Sequence, residues 1–361
     1  MTFTLTHDAL HLGDVTIRFQ RTLRIPDDGK RYPLPPGLGA FPLRRVDDYA
    51  SRVPDEWRER GGVMLPMYQR EAMWLHLSAP HWKPHALKVG VGKVCAITGE
   101  RWSEELHALP SRGIFRGDAP KQDYVVFPPQ PWLDGICTGN GTIRQFVAMP
   151  LGLGYTVEGQ VTGEERFGGL QLKVVPPKPG RFAPPPPPPR RAEWDGELCE
   201  MSSAAPPPPA CAAPSGMPGA PMASRARKAT AMGLAAGGQM KQKIYPDPHG
   251  LETWDLGAST RVFVHIVSSD QWQDITGEAP PPSPVSARTY AEHGLPWFEL
   301  YDEHAPTVAP SATLAGVKSV AAIDAQKSTH PLQDDSSVDA PFVQKLWSAL
   351  VGDGKVRDGK W

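Results

Sequence analysis

Alternation of apolar and polar side chains is the first regular signal in the chain. Val15, Ile17, Phe19, Leu23 and Ile25 are apolar, and Thr16, Arg18, Gln20, Thr22 and Arg24 between them are polar. Period two over this length predicts a half-buried strand, and Arg21 on its apolar face marks a bulge or an edge. Asp27-Asp28-Gly29 then supplies a turn. Residues 32–43 are too rich in proline and glycine for a helix, and read as an ordered loop that buries Leu34, Leu38, Phe41 and Leu43. Residues 66–77 predict a helix: Pro66 suits a first turn, and Met67, Tyr68, Glu71, Ala72, Met73, Trp74 and Leu75 follow with no breaker before Pro80. Trp57 belongs to a shorter helix ahead of it. Strand-like runs at 87–94, 124–127, 143–147 and 170–175 follow, separated by glycine and proline. Many short strands without long intervening helices predict a mixed α+β, β-rich fold and argue against a doubly wound sheet.

From residue 176 the pattern stops. Six consecutive prolines occupy positions 184–189 and four more occupy 206–209. Such a stretch favours extended polyproline II conformations and cannot pack as sheet or helix. A second compact block is expected from 229. Within it, residues 232–245 read as a glycine-weakened helix or a close-packed loop, and 261–267 as a strand buried in part on both sides. Residues 286–294 read as a short helix capped by Ser286 and stopped by Gly294, and 296–302 as a strand or an aromatic-rich loop. The expected organisation is therefore two compact blocks, 1–175 and 229–325, joined by a disordered or polyproline II linker over 176–228. A polar linker at 326–338, an amphipathic helix at 339–352 and a polar tail at 353–361 complete it. Asp339 is placed to cap that helix, and Phe342, Val343, Leu346, Trp347 and Leu350 form its apolar stripe.

Charge narrows the partners. Lysine plus arginine number 38 and aspartate plus glutamate 39, so a polyanionic nucleic acid is not the default partner. No segment approaches the roughly 20 apolar residues of a membrane span, and the first residues lack the basic start and apolar core of a secretory leader. Cys95, Cys137, Cys199 and Cys211 are widely spaced with no CxxC pair, which fits a reducing, cytoplasmic compartment.

Candidate chemistry is sparse. The tetrapeptide [Ile/Val]-Thr-Gly-Glu occurs at 97–100, 161–164 and 275–278, and reads as three independent turns. The glycine-rich segments at 135–142 and 149–159 lack the endings of phosphate- or dinucleotide-binding loops, so no cofactor is expected. His76, His81 and His85 are separated by Pro80 and Pro84, so no metal site is expected. Asp247, His249, Glu252 and Asp255 form a polar cluster that would serve acid–base chemistry if the groups met in space. Cys137, between glycines, is a thiol with no histidine nearby in sequence to act as its base. The sequence therefore favours a non-catalytic interaction or assembly protein. It would meet a protein partner, or a second copy of itself, through the proline-rich segment and the C-terminal helix. The alternative is a soluble hydrolase whose histidine and carboxylate groups come from distant positions.

Overall fold

The computed structural model describes residues 3–108, 122–183, 231–299, 306–327, 337–338 and 343–345. Nearly all the strands among them belong to one large, mostly antiparallel sheet. Its principal strands are β1 (Val15–Thr22), β2 (Val63–Met67), β3 (Ala72–Ser78), β4 (His85–Val91), β5 (Val125–Phe127), β6 (Gly135–Gly139), β7 (Thr142–Pro150), β8 (Leu170–Val175), β9 (Ala231–Lys241) and β10 (Thr260–Ser268). Two leaves emerge from the pairing. One runs β1–β3–β7–β9, and the other runs β2–β10–β8–β4–β5. The corner between them is made where Ala231 and Met232 pair with Val267 and Ile266.

Alternation decides which side chains fill the space between the leaves. Val15, Ile17 and Phe19 of β1 and Met73, Leu75 and Leu77 of β3 join Leu87, Val89 and Val91 of β4 and Val262, Val264 and Ile266 of β10 in a single buried cluster. Strands from both leaves thus share one packed interior. The opposite side chains enter smaller clusters under helices. Met64, Val267, Trp272 and Ile275 pack beneath α1 (Asp55–Arg60) and α3 (Ser269–Thr276). Val147, Met149, Ala235 and Tyr155 pack against Val320 and Ile323 of the helix Val320–Gln326. Because side chains fill the interior, any binding chemistry has to sit on the outer face.

The β-rich class expected from the sequence is the observed one, and the strand at 170–175, the helix around Trp57 and the capped helix after Ser286 are all present. Three expectations are corrected. First, two separate blocks do not form. Strands before and after the proline-rich stretch are neighbours in the sheet, with β7 paired to β9 from Thr142↔Lys241 to Pro150↔Met232, and both sides belong to one compact unit. The polyproline expectation for 184–228 lies outside the described residues. Second, 66–77 is not a helix: it is the end of β2, a turn and β3. Met73, Leu75 and Leu77 alternate with Trp74 and His76, and burial against β1 overrides the helical propensity of methionine and leucine. The glycine-rich run at 231–241 is likewise a strand; a Cβ on Gly238 would lie 2.3 Å from the carbonyl oxygen of Pro26, so glycine admits a neighbouring backbone there.

The third correction concerns the C-terminal helix. Val343–Lys345 is a strand paired in parallel with Trp297–Glu299, so a helix does not run through 339–352. Val343 is 40% exposed. Phe342, Leu346, Trp347 and Leu350 lie outside the described residues. Arg21 lies where the register of β1 against Gly37–Ala40 shifts between Gln20 and Thr22, the bulge its place in the pattern predicts, and its buried guanidinium pairs with Glu71 at 2.8 Å.

The three tetrapeptide turns share one local solution. In each, the threonine hydroxyl accepts from the glutamate N–H two residues on, at 3.3 Å for Thr98, 3.2 Å for Thr162 and 3.1 Å for Thr276. The glycines take φ of 73°, 81° and 80°. Two of the turns end helices, α2 (Val157–Thr162) and α3. Local chemistry, a left-handed glycine beside a threonine acceptor, accounts for the repeat without a duplicated domain.

Candidate functional site

The outer face of β10, β8 and β4 carries a row of cations. Lys173 lies directly across from Lys88 on one side and from Arg261 on the other. Like charges in register repel, so counterions are required, and the strap of residues 101–107 supplies part of them. Glu104 pairs with both Lys173 and Arg261. Lys88 is 1% exposed and donates to Asp123 Oδ2 at 2.7 Å, to Ser103 Oγ at 2.8 Å and to the carbonyl oxygen of Glu105. Asp123 also accepts from the His107 backbone N–H and pairs with His107 Nδ1, both at 2.8 Å. Trp102 lays the strap on the sheet; a Cβ on Gly90 would sit 2.6 Å from its ring, so only glycine allows that approach.

Beyond Trp102 the strap opens into a pocket of about 280 Å³ lined by Lys93, Arg101, Trp102, Glu158, Glu164 and Phe167. Lys93 follows the turn at Gly92, and Phe167 comes from the loop after α2. Glu158 ties the two together. Its carboxylate accepts from Lys93 N at 3.2 Å, Phe167 N at 3.1 Å and Gly168 N at 2.9 Å. Burial raises its pKa above the ordinary value despite these bonds. Around the Phe167 ring gather the guanidinium of Arg60 at 4.4 Å, the ammonium of Lys93 at 4.7 Å and the guanidinium of Arg166 at 5.8 Å from its centroid. Burial, then the fields of Arg261 and Arg60, push the Lys93 ammonium below its usual pKa. Burial does the same to Arg60.

Several cations elsewhere in the fold are paired with carboxylates. Arg21, Arg70, Lys88, Arg144 and Lys173 each face a carboxylate within 4.0 Å, namely Glu71, Asp324, Asp123, Asp27 and Glu104. Arg60, Lys93, Arg101 and Arg166 have no ion-pair partner among the described residues. What they can do chemically is hold an anion.

The residues singled out from sequence are placed differently. Asp247 accepts from Tyr124 Oη at 2.6 Å and Trp254 Nε1 at 2.8 Å, which makes it an anchor between loops. His249 lies edge-on to Phe182 and Trp254 and does not join a carboxylate through its ring. Asp255 caps a short 3₁₀ turn, and Glu252 is exposed beside it. The four are neighbours in the chain without converging on a common point. Cys137 lies buried in the central cluster, with Sγ 3.9 Å from the Gly139 carbonyl oxygen. Sequence reasoning missed the pocket because its cations are scattered from Arg60 to Arg166. The one local signal was the Thr162-Gly163-Glu164 turn, which presents Arg166 and Phe167.

Comparison of the chain with family models, with curated proteins and with solved structures finds no match. Among the described residues no helix is long and apolar enough to cross a membrane, and no group of three or more histidine, cysteine, aspartate or glutamate side chains is positioned for a metal.

Proposed function

We propose that this is a non-catalytic binding protein whose pocket, at Lys93, Arg101, Trp102 and Phe167, receives an anionic group of its ligand or partner. The single observation that carries the reading is a set of four cations without a carboxylate within 4.0 Å among the described residues, two of them, Lys93 and Arg101, lining the pocket and three around the Phe167 ring. Two of them, Arg60 and Lys93, are partly desolvated, so an incoming anion gains more from them than from surface lysines in water. Interaction with a protein partner or a second copy belongs to the same reading; the exposed Val343 beside Trp297–Glu299 is its support at the C-terminal end. A reducing, cytoplasmic setting is the compartment we propose, in keeping with the wide spacing of the cysteines and the burial of Cys95 and Cys137.

The test is thermal unfolding in citrate at constant ionic strength. A ligand at a hundred times its Kd stabilises the folded state by about 2.7 kcal/mol. A melting temperature that rises with citrate in the wild type but not in Lys93→Ala/Arg101→Ala supports the reading, and equal responses in both proteins reject it.

A hydrolase is the second reading, favoured by the Asp123–His107 pair, in which a buried carboxylate orients an imidazole. Ser103 lies in the same network, but all three ammonium hydrogens of Lys88 are donated, so that lysine offers no lone pair to take a proton from the serine hydroxyl. Ester hydrolysis abolished by His107→Gln would favour this reading over binding alone.

A further inference from the structure

We infer that the outer face of β1 and β3 is a docking site, and that its occupant is the C-terminal segment of the same chain, residues 346–351. This face is separate from the pocket, which is lined from the other leaf and from the region of α2. Alternation sends Met73, Leu75 and Leu77 into the core, so Trp74 and His76 point outward. In register, Arg18 lies opposite His76 and Gln20 opposite Trp74, and on the other side of β3 Trp132 lies opposite His76. The result is an aromatic cluster. The Trp74 ring stands edge-on to His76 at 6.0 Å and to Trp132 at 6.4 Å, centroid to centroid.

Burial and hydrogen bonding both call for a cover. The three rings are half-buried, and large aromatic side chains are stabilised further as the rest of their surface leaves water. Trp74 Nε1 and His76 Nδ1 are withdrawn from solvent and have no hydrogen-bond partner among the described residues. A buried indole N–H needs an acceptor, which points to one from residues outside that set. The neighbouring strand Gly37–Ala40 does not shade the rings. Gly37 lies beside Trp74, where a Cβ would be 3.3 Å from the indole, and Gly39 stands in open space.

The path of the chain decides the occupant. Val338 packs, with Leu38, Trp132 and Phe298, against the cluster that contains Tyr32, Leu34 and Trp297, and its N–H donates to Tyr32 Oη at 3.3 Å. Val343–Lys345 then pairs in parallel with Trp297–Glu299. Phe298 in turn exchanges backbone hydrogen bonds with Leu34, both at 3.0 Å. The C-terminal segment is therefore anchored at the rim of the aromatic cluster, on the side of Trp132, and the next residue is Leu346. Residues 346–351 read Leu-Trp-Ser-Ala-Leu-Val, apolar at every position but Ser348. A segment of this length extends up to about 20 Å, enough to cross rings whose centroids lie 6.4 Å apart. Tethering makes the docking intramolecular, which gives this segment a higher local concentration than a second copy in solution. A partner that takes the C-terminal segment thus uncovers Trp74 and Trp132, and a partner for the aromatic face competes with the segment.

The experiment is photo-crosslinking of the full chain carrying Trp347→p-benzoylphenylalanine, one aromatic side chain for another, in an equal mixture of isotopically light and heavy protein. The expected products, read by mass spectrometry of the peptides, are crosslinks to residues 72–78 or 131–133, light to light and heavy to heavy. Adding Leu346→Ser/Leu350→Ser leaves every described strand untouched and should lower the yield of these crosslinks by about tenfold, with the circular dichroism unchanged. Mixed light–heavy crosslinks at the same residues would make a second copy the occupant and overturn the proposal. Crosslinks confined to the proline-rich stretch or to other faces would overturn it too, as would a yield indifferent to the two serines or no crosslink at this face.

Discussion

Replacing Asp123 with alanine tests whether the strap is held to the sheet by charge. Asp123 is 2% exposed and Lys88 1% exposed, and the two side chains meet at 2.7 Å. Alanine leaves the Lys88 ammonium buried with only Ser103 Oγ and the Glu105 carbonyl oxygen as acceptors, and it removes both hydrogen bonds to His107. Breaking one side of a buried ion pair costs about 3–5 kcal/mol, because the orphaned charge keeps its desolvation penalty. The double variant Lys88→Met/Asp123→Ala removes both charges and fills the space with apolar atoms, so it should recover at least about 2 kcal/mol of that loss. Equilibrium unfolding in urea, followed by tryptophan fluorescence, reads both values provided the slope with denaturant is unchanged. An Asp123→Ala variant within about 1 kcal/mol of wild type would refute the reasoning, as would a double variant no more stable than the single one.

Other consequences are equally specific. His265 is buried against Trp57, with Nε2 3.0 Å from the Gly61 carbonyl oxygen, and burial lowers its pKa from 6.5 to about 4. The unfolded chain therefore binds the extra proton between those values, so this contribution is intact above pH 6.5 and is lost as pH falls toward 4. Relative to His265→Gln, the wild type should lose up to about 3 kcal/mol across that window; parallel stability curves for the two proteins would contradict it. Gly277→Ala meets open space at φ 80°, whereas Gly62→Ala, at φ 89°, would place its Cβ 2.2 Å from the Phe263 carbonyl oxygen. The first should cost about 1 kcal/mol from backbone strain alone and the second several times that, measured by urea unfolding; equal costs would remove the steric argument.

Much of the fold was legible wherever one face of a strand meets solvent or a helix. Val15, Ile17 and Phe19 announce β1, and Ser286 announces its helix by a side chain that accepts from Thr289 N. What failed were elements whose local chemistry is ambiguous. Met73, Leu75 and Leu77 are good helix formers, and only pairing with Leu77↔Ile17 and Leu75↔Phe19 makes them a strand. Glycines at 233, 237 and 238 look like a loop until close neighbours explain them. The merger of the two expected blocks was invisible because nothing local to β7 or β9 says that they pair across the proline-rich stretch. The pocket was invisible for the same reason. Arg60, Lys93 and Arg166 are ordinary charged residues until a curved sheet and the Glu158 carboxylate bring them to one phenylalanine ring.

The central claim is that these cations form one anion site. Its most direct measurement is a crystal structure of the full chain grown with millimolar selenate, a tetrahedral dianion, located by the anomalous signal of selenium. The account predicts the strongest peak between Lys93 and Arg101 beside Phe167, and its disappearance in Arg101→Ala. Peaks confined to other basic surfaces, with none in this pocket, would contradict it.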